Sequence, residues 1–145
     1  MMDKIKNWLT ENLLKYPTGI SDSEAVFIAR TTEKLFNANV PEDYVSFLKE
    51  INGFSCNGVT VYGFENDEIK NKYKELIDND FIYVNNDFRE MTDVSDYLVF
   101  GQTDLSYIAM DTRSGKYVLL GRGFLDFIGE YVDFNEMLEM FLGLE

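Results

Sequence analysis

Few residues of this 145-residue sequence could carry enzymatic chemistry, since it contains no histidine and a single cysteine, Cys56. Without histidine, Ser-His-Asp and Cys-His nucleophile systems and histidine-based metal sites are excluded. Cys56 would need a nearby cation to lower its thiol pKa, yet its neighbours Ser55 and Asn57 are uncharged. We therefore expect Cys56 to be a small buried or loop residue.

Carboxylates are the remaining groups that could act as a general acid and base. A glycosidase needs two of them at a defined separation, and nothing in the sequence sets such a pair. Asp78-Asn79-Asp80 does not continue into a calcium loop, because Ile82 stands where a ligand should be. Gly121-Arg122-Gly123 lacks the third glycine of a dinucleotide fingerprint. We expect no catalytic residue, no metal and no cofactor, and a hydrolase with two carboxylates is the weakest of three hypotheses.

The charge balance indicates the kind of partner. The chain has 13 Lys and Arg against 26 Asp and Glu, which gives a formal net charge of −13. Such a surface repels nucleic acid and anionic membranes and attracts basic proteins, although acidity can also serve solubility alone. No signal peptide pattern and no apolar run of about 18 residues is present. We expect a cytoplasmic protein that binds neither nucleic acid nor membrane.

The central stretch, Val40–Gly63, begins as a helix. Pro41 suits the first helical position, and the acids that follow it lie at the positive end of the helix dipole. The apolar face is formed at spacings of three and four residues by Tyr44, Phe47, Leu48 and Ile51. Asn52-Gly53 is predicted to end this helix.

A short loop and a strand complete the central stretch. Asn57-Gly58 is typical of a turn, and it precedes residues that favour a strand, Val59–Tyr62, which ends at Gly63. Gly58 and Gly63 are therefore expected to be turn residues at the ends of elements.

The rest of the chain predicts helices around a group of strands. Helices are expected over Asp3–Lys15, after the Ser21–Glu24 capping box, within Phe64–Asp80 after a loop, and after Asp133. Strands are expected at Ile82–Val84, Leu98–Phe100, Ser106–Asp111, Lys116–Leu120 and within Phe124–Val132, with Asn85–Asp96 as loop or partial helix. This order predicts an α+β domain, with N-terminal and C-terminal helices packed on a central, mainly antiparallel sheet.

The central stretch resembles the SUKH superfamily. The pattern is proline, two acids, tyrosine, Phe-Leu, Asn-Gly, and then a strand that ends in Tyr-Gly. Its residues here are Pro41, Tyr44, Phe47, Leu48, Asn52, Gly53, Gly58, Tyr62 and Gly63. The resemblance extends to the Asp-Thr-Arg-Ser-Gly-Lys hairpin turn and the closing helix, and it implies the same α+β fold in one domain over residues 1–145.

The superfamily contains bacterial immunity proteins and fungal cell-wall regulators. The resemblance and the acidity together favour a non-catalytic binding module that neutralises a basic toxin, such as a nuclease, by direct binding; a regulatory or scaffold protein is the alternative. The oligomeric state stays open. The candidate partner surface comprises Glu65, Asp67, Glu68, Tyr73, Asp78, Asp80 and Tyr83.

Overall fold

The computed structural model describes residues 2–12, 17–64 and 79–144. These residues form five helices and six strands. The helices are α1 (Met2–Asn12), α2 (Asp22–Phe36), α3 (Glu42–Glu50), α4 (Phe81–Thr92) and α5 (Phe134–Phe141). The strands are β1 (Phe54–Cys56), β2 (Val59–Val61), β3 (Tyr97–Gln102), β4 (Ser106–Asp111), β5 (Tyr117–Gly121) and β6 (Phe127–Tyr131). The predicted α+β class is confirmed.

The six strands form one sheet in chain order, and each strand is antiparallel to the next. Asn57 and Gly58 both have positive φ, 51° and 77°, as the tight turn between β1 and β2 requires. Phe54–Cys56 forms β1, so the expected loop at this position is wrong: the turn pairs these residues with β2. The predicted hairpin of β4 and β5 is present, with Gly115 at φ 75° in its turn.

Side-chain caps set where several helices begin. Ser21 and Glu24 form the predicted capping box, in which the Ser21 hydroxyl accepts from the Glu24 N–H at 3.2 Å. Asp133 caps α5 by accepting from the Glu136 N–H at 2.8 Å. Pro41 lies one position earlier than predicted, as the residue before α3, and α3 ends at Glu50, before Asn52-Gly53.

The region after Asp80 differs from the sequence-based prediction. The strand expected at Ile82–Val84 is wrong, since these residues belong to helix α4. The Asp80 carboxylate caps this helix by accepting from the Tyr83 N–H at 3.0 Å. The buried face of α4 comprises Phe81, Asn85 and Phe88. Because Asn85 in the middle of that face is polar, apolar residues alone do not mark the buried face of this segment in the sequence.

Asn85 joins α4 to the sheet through its side-chain amide. Strand β2 pairs with β3 only at Gly101 and Gln102, so earlier residues of β3 have no strand on that side among the described residues. Asn85 Nδ2 donates to the Val99 carbonyl at 2.9 Å, and Asn85 Oδ1 accepts from the Val99 N–H at 2.8 Å. The fully buried amide therefore takes the place of a neighbouring strand.

Arg89, one helical turn after Asn85, continues this contact. Its Nη2 donates to the Tyr97 carbonyl at 3.1 Å, and its Nη1 donates to the Phe36 carbonyl of α2 at 3.2 Å. A four-residue step along a helix spans about 6 Å, close to the roughly 6.6 Å of two residues along a strand. Helix α4 consequently follows β3 and ties it to α2.

An aromatic cluster fills the space between the helices and the sheet. Tyr44 of α3 contacts the rings of Phe81, Phe100 and Phe134, with centroid distances of 5.0, 4.7 and 5.4 Å. These four side chains are fully buried. Trp8 of α1 packs on Phe54 of β1, with the ring centroids 5.8 Å apart. None of the helices in the described ranges is long and apolar enough to cross a membrane.

Replacing Asn85 with alanine removes both hydrogen bonds to Val99 and leaves two buried backbone groups unpaired. We expect Asn85→Ala to lower the free energy of unfolding by about 2–4 kcal/mol. Asn86→Ala is the matched control, because Asn86 is the exposed neighbour on the same helix, and it should change stability by less than about 0.5 kcal/mol. Urea denaturation measures both, and equal midpoints for the two variants would contradict the role of Asn85.

Candidate functional site

Several residues of the central sequence pattern meet at the junction between α3 and β2. The Tyr44 hydroxyl donates to the Tyr62 carbonyl at 2.5 Å. Asn52 Nδ2 donates to the Phe64 carbonyl at 2.8 Å, and Asn52 Oδ1 accepts from the Phe64 N–H at 2.6 Å. This pair of bonds repeats the device of Asn85: a buried amide satisfies both backbone groups of one residue.

Two glycines allow the backbones to approach at this junction. Gly53 has φ +72°, and a Cβ placed on it would lie 2.7 Å from the Gly63 backbone nitrogen. A Cβ on Gly63 would lie 2.7 Å from Asn52 Oδ1. Both distances are shorter than real carbon contacts, so a side chain at either position would separate α3 from β2.

The remaining pattern residues have structural surroundings as well. Phe47 and Leu48 are buried in the core beside Tyr44. Burial raises the pKa of the Tyr44 phenol well above its usual value, with Asp80 and Tyr62 adding to the shift. The pattern therefore builds the fold rather than a surface that a ligand could reach.

The candidate partner surface is only partly within the described residues. Glu65, Asp67, Glu68, Tyr73 and Asp78 lie outside them. Asp80 is buried and caps α4, so its carboxylate has a structural role. Tyr83 is 61% exposed on α4.

Cys56 is half-buried on β1, beside the turn to β2. Burial raises the pKa of its thiol, so the thiolate is disfavoured relative to a free cysteine. Within the described ranges, no group of three or more Cys, Asp and Glu side chains could hold a metal ion. The chemistry of Cys56 is that of a packed thiol.

A polar cluster that the sequence did not predict lies at one end of the sheet. The Tyr62 hydroxyl donates to Gln102 Oε1 at 2.5 Å, and the Arg122 guanidinium lies 5.3 Å from the centre of the Tyr107 ring. Arg122 Nη1 also donates to the Thr103 carbonyl at 2.9 Å. Burial raises the pKa of Tyr62, Tyr107 adds to this, and Arg122 opposes it. These residues come from separate elements, so no local pattern could indicate the cluster.

A model of the SMI1 / KNR4 family (SUKH-1) matches residues 26–142. The chain belongs to this family. The resemblance inferred from the central stretch is thus confirmed. No curated protein matches the chain.

The SUKH-1 match covers the parts of the fold that the two buried amides hold together. It begins at Val26 within α2, includes all six strands, and ends at Leu142 after α5. Both Asn52 and Asn85 lie inside it, whereas α1 lies before it.

The raised pKa of Cys56 predicts slow alkylation. At neutral pH, iodoacetamide should react more slowly with the folded protein than with the same protein unfolded in urea, because less of the buried thiol is ionised. The rate–pH curve of the folded protein should be displaced to higher pH. Faster reaction of the folded form at neutral pH would show an activated thiolate instead.

Proposed function

We propose that this SUKH-1 protein is a non-catalytic binding module, specifically an immunity protein that neutralises a basic bacterial toxin by direct binding. The observation that carries the proposal is its net charge of −13 on a fold whose superfamily includes immunity proteins. Toxins that act on nucleic acid need a basic cleft, and an acidic protein can occupy it in place of the phosphate backbone.

The distribution of charge supports attraction of a basic partner. Four of the cations are already compensated by carboxylates. Lys6 pairs with Glu50 at 2.8 Å, Lys49 with Asp22 at 3.0 Å, Arg113 with Asp111 at 3.4 Å and Lys116 with Glu130 at 3.4 Å. Each pair compensates one acid and one base, so the excess of acids, 26 against 13 bases, still sets the field around the protein. Such a field accelerates encounter with a basic surface.

Binding without turnover agrees with the chemistry of the side chains. The sequence has no histidine, and the pKa of its one thiol is raised rather than lowered. We accordingly propose that the protein blocks its partner and does not modify it. Purified protein should show no hydrolysis of nucleic acids, glycosides or esters above a blank.

The second candidate function is a regulatory or scaffold role without a toxin, as in the cell-wall regulators of the superfamily. Its support is the family match, which the two roles share. Co-expression with a toxin domain encoded beside this gene separates them. Protection of the cells together with a purified complex supports immunity, whereas neither protection nor binding leaves the scaffold role.

Association with such a toxin should slow markedly as salt rises. The Debye length falls from about 30 Å at 0.01 M to about 3 Å at 1 M ionic strength, which screens long-range attraction. Dissociation should change less, because short-range packing governs it. Stopped-flow kinetics at several salt concentrations measures both rates, and a salt-independent association rate would remove the electrostatic mechanism.

A pair of triple variants tests where the attraction acts. One reverses Glu65, Asp67 and Glu68 to lysine, and its control reverses Asp3, Glu11 and Glu33, which lie exposed on α1 and α2. Both variants change the net charge equally. If the variant at Glu65, Asp67 and Glu68 loses more of its association rate than the control, these residues belong to the partner surface. Equal losses would mean that net charge alone causes the effect.

A further inference from the structure

The two edges of the sheet differ in how they are covered. At the β1 edge, Trp8 of α1 packs on Phe54, and the Asn57 side chain bonds to Asn12 at the end of α1. At the other edge, β6 pairs with β5 on one side, and no described strand lies on its other side. In an antiparallel strand, alternate residues direct their N–H and C=O groups away from the paired neighbour. Strand β6 thus presents backbone groups able to receive another strand.

Strand β6 also lacks two of the residue types that protect free edges. Its sequence, Phe-Ile-Gly-Glu-Tyr, contains no proline and no lysine. Phe127 and Ile128 are 61% and 53% exposed. The register steps from the pair Leu119 and Gly129 to the pair Leu120 and Phe127, so Ile128 is the extra residue of a β-bulge near the start of β6.

The turn before β6 adds an apolar corner to this edge. Phe124, at the turn between β5 and β6, is 94% exposed, and Leu125 beside it has the left-handed φ of 54°. The Arg122 N–H donates to the Leu105 carbonyl at 3.0 Å, which brings Leu105, 81% exposed, to the same corner. Leu105, Phe124, Phe127 and Ile128 together form what we call the edge patch.

The charges around the edge patch indicate what can cover it. Exposed carboxylates flank it at Asp104, Asp126 and Glu130. Lys116 pairs with Glu130, and Arg122, which bonds to the Thr103 carbonyl, keeps its charge, so the carboxylates exceed these cations by three to two. Two copies of this chain would bring like-charged edges together, whereas a strand with lysine or arginine would be attracted.

We propose that β6 is a docking edge for an extended segment of a basic protein partner. The segment carries lysine or arginine among apolar residues, adds to the sheet as a seventh strand, and buries Phe124 and Phe127. Backbone hydrogen bonds to β6 hold it, and the flanking carboxylates select its charge. The proposal rests on the proposed function in that the partner is basic, and it adds a contact surface to the acidic residues proposed for that function.

Hydrogen–deuterium exchange of the full chain tests the edge with a defined probe. The probe is a peptide of about ten residues that alternates valine with lysine, a length that matches one strand. It should slow exchange of the β6 amides and leave β1 unchanged. A peptide that alternates valine with glutamate should have no effect. A second control peptide, with the same valines and lysines arranged as one block of each, should also have no effect.

Two variants test whether the side chains of the edge patch bind the peptide. Phe124→Ser and Ile128→Asp should each weaken peptide binding by about tenfold or more, as expected for anchors of an interface. Met91→Ser is the matched control, since Met91 is 78% exposed but lies on α4, away from the edge patch. Phe124 is almost fully solvated, so its replacement leaves the fold intact, which circular dichroism verifies.

The outcomes separate this inference from the proposed function. Protection elsewhere, no protection, or equal binding of the acidic peptide overturns the docking edge. Protection of β6 that rises with protein concentration in the absence of peptide assigns the edge to a second copy and overturns it too. A toxin complex that leaves β6 unprotected and tolerates Phe124→Ser keeps immunity but removes the edge. Peptide docking on β6 without any toxin binding keeps the edge but removes immunity.

Discussion

The fold depends on finding partners for backbone groups where strands of the sheet stop short. A buried N–H or C=O without a hydrogen bond costs about 1–3 kcal/mol. Strand β2 pairs with β3 only at Gly101 and Gln102, and Phe64 lies beyond the end of β2. In each place one asparagine amide supplies both a donor and an acceptor: Asn85 for Val99 and Asn52 for Phe64. An aliphatic residue of similar size would fill the space but leave both groups unpaired.

These two amides also position the aromatic core. Asn85 holds α4 against β3, which places Phe81 in a stacked contact with Phe100 at 5.9 Å. Asn52 and the close approach of Gly53 to Gly63 hold α3 beside β2, which places Tyr44 on the same Phe100 ring. Because the side chains interlock, a change in either amide would reach the packing of the other helix.

The family pattern and the proposed partner surfaces occupy different parts of this protein. Most of the family pattern is buried around α3 and β2, where the side chains of Tyr44 and Asn52 bond to the backbone. The exposed side chains of the β6 edge lie outside that pattern, so they can change without loss of the fold. This separation suits a family whose members serve as immunity proteins and as regulators. A common scaffold then carries different partner surfaces, and function must be argued from the surface.

Local chemistry in the sequence determined the helix caps at Ser21 and Asp133, the turns at Asn57-Gly58 and Gly115, the excess of acids and the lack of histidine. Tertiary structure decided the rest. The start of helix α4 was not predicted, because its inner face includes the polar residues Asn85 and Arg89. Their hydrogen-bond partners lie on β3, and the spacing of apolar residues along the sequence does not indicate such contacts. The Asp80 carboxylate caps α4, and this role cannot be predicted from the sequence until the start of the helix is known. Phe127 and Ile128 have the composition of a core strand, yet the strand order places them at an edge. An apolar run has the same sequence in either position, and only the number of neighbouring strands distinguishes the two.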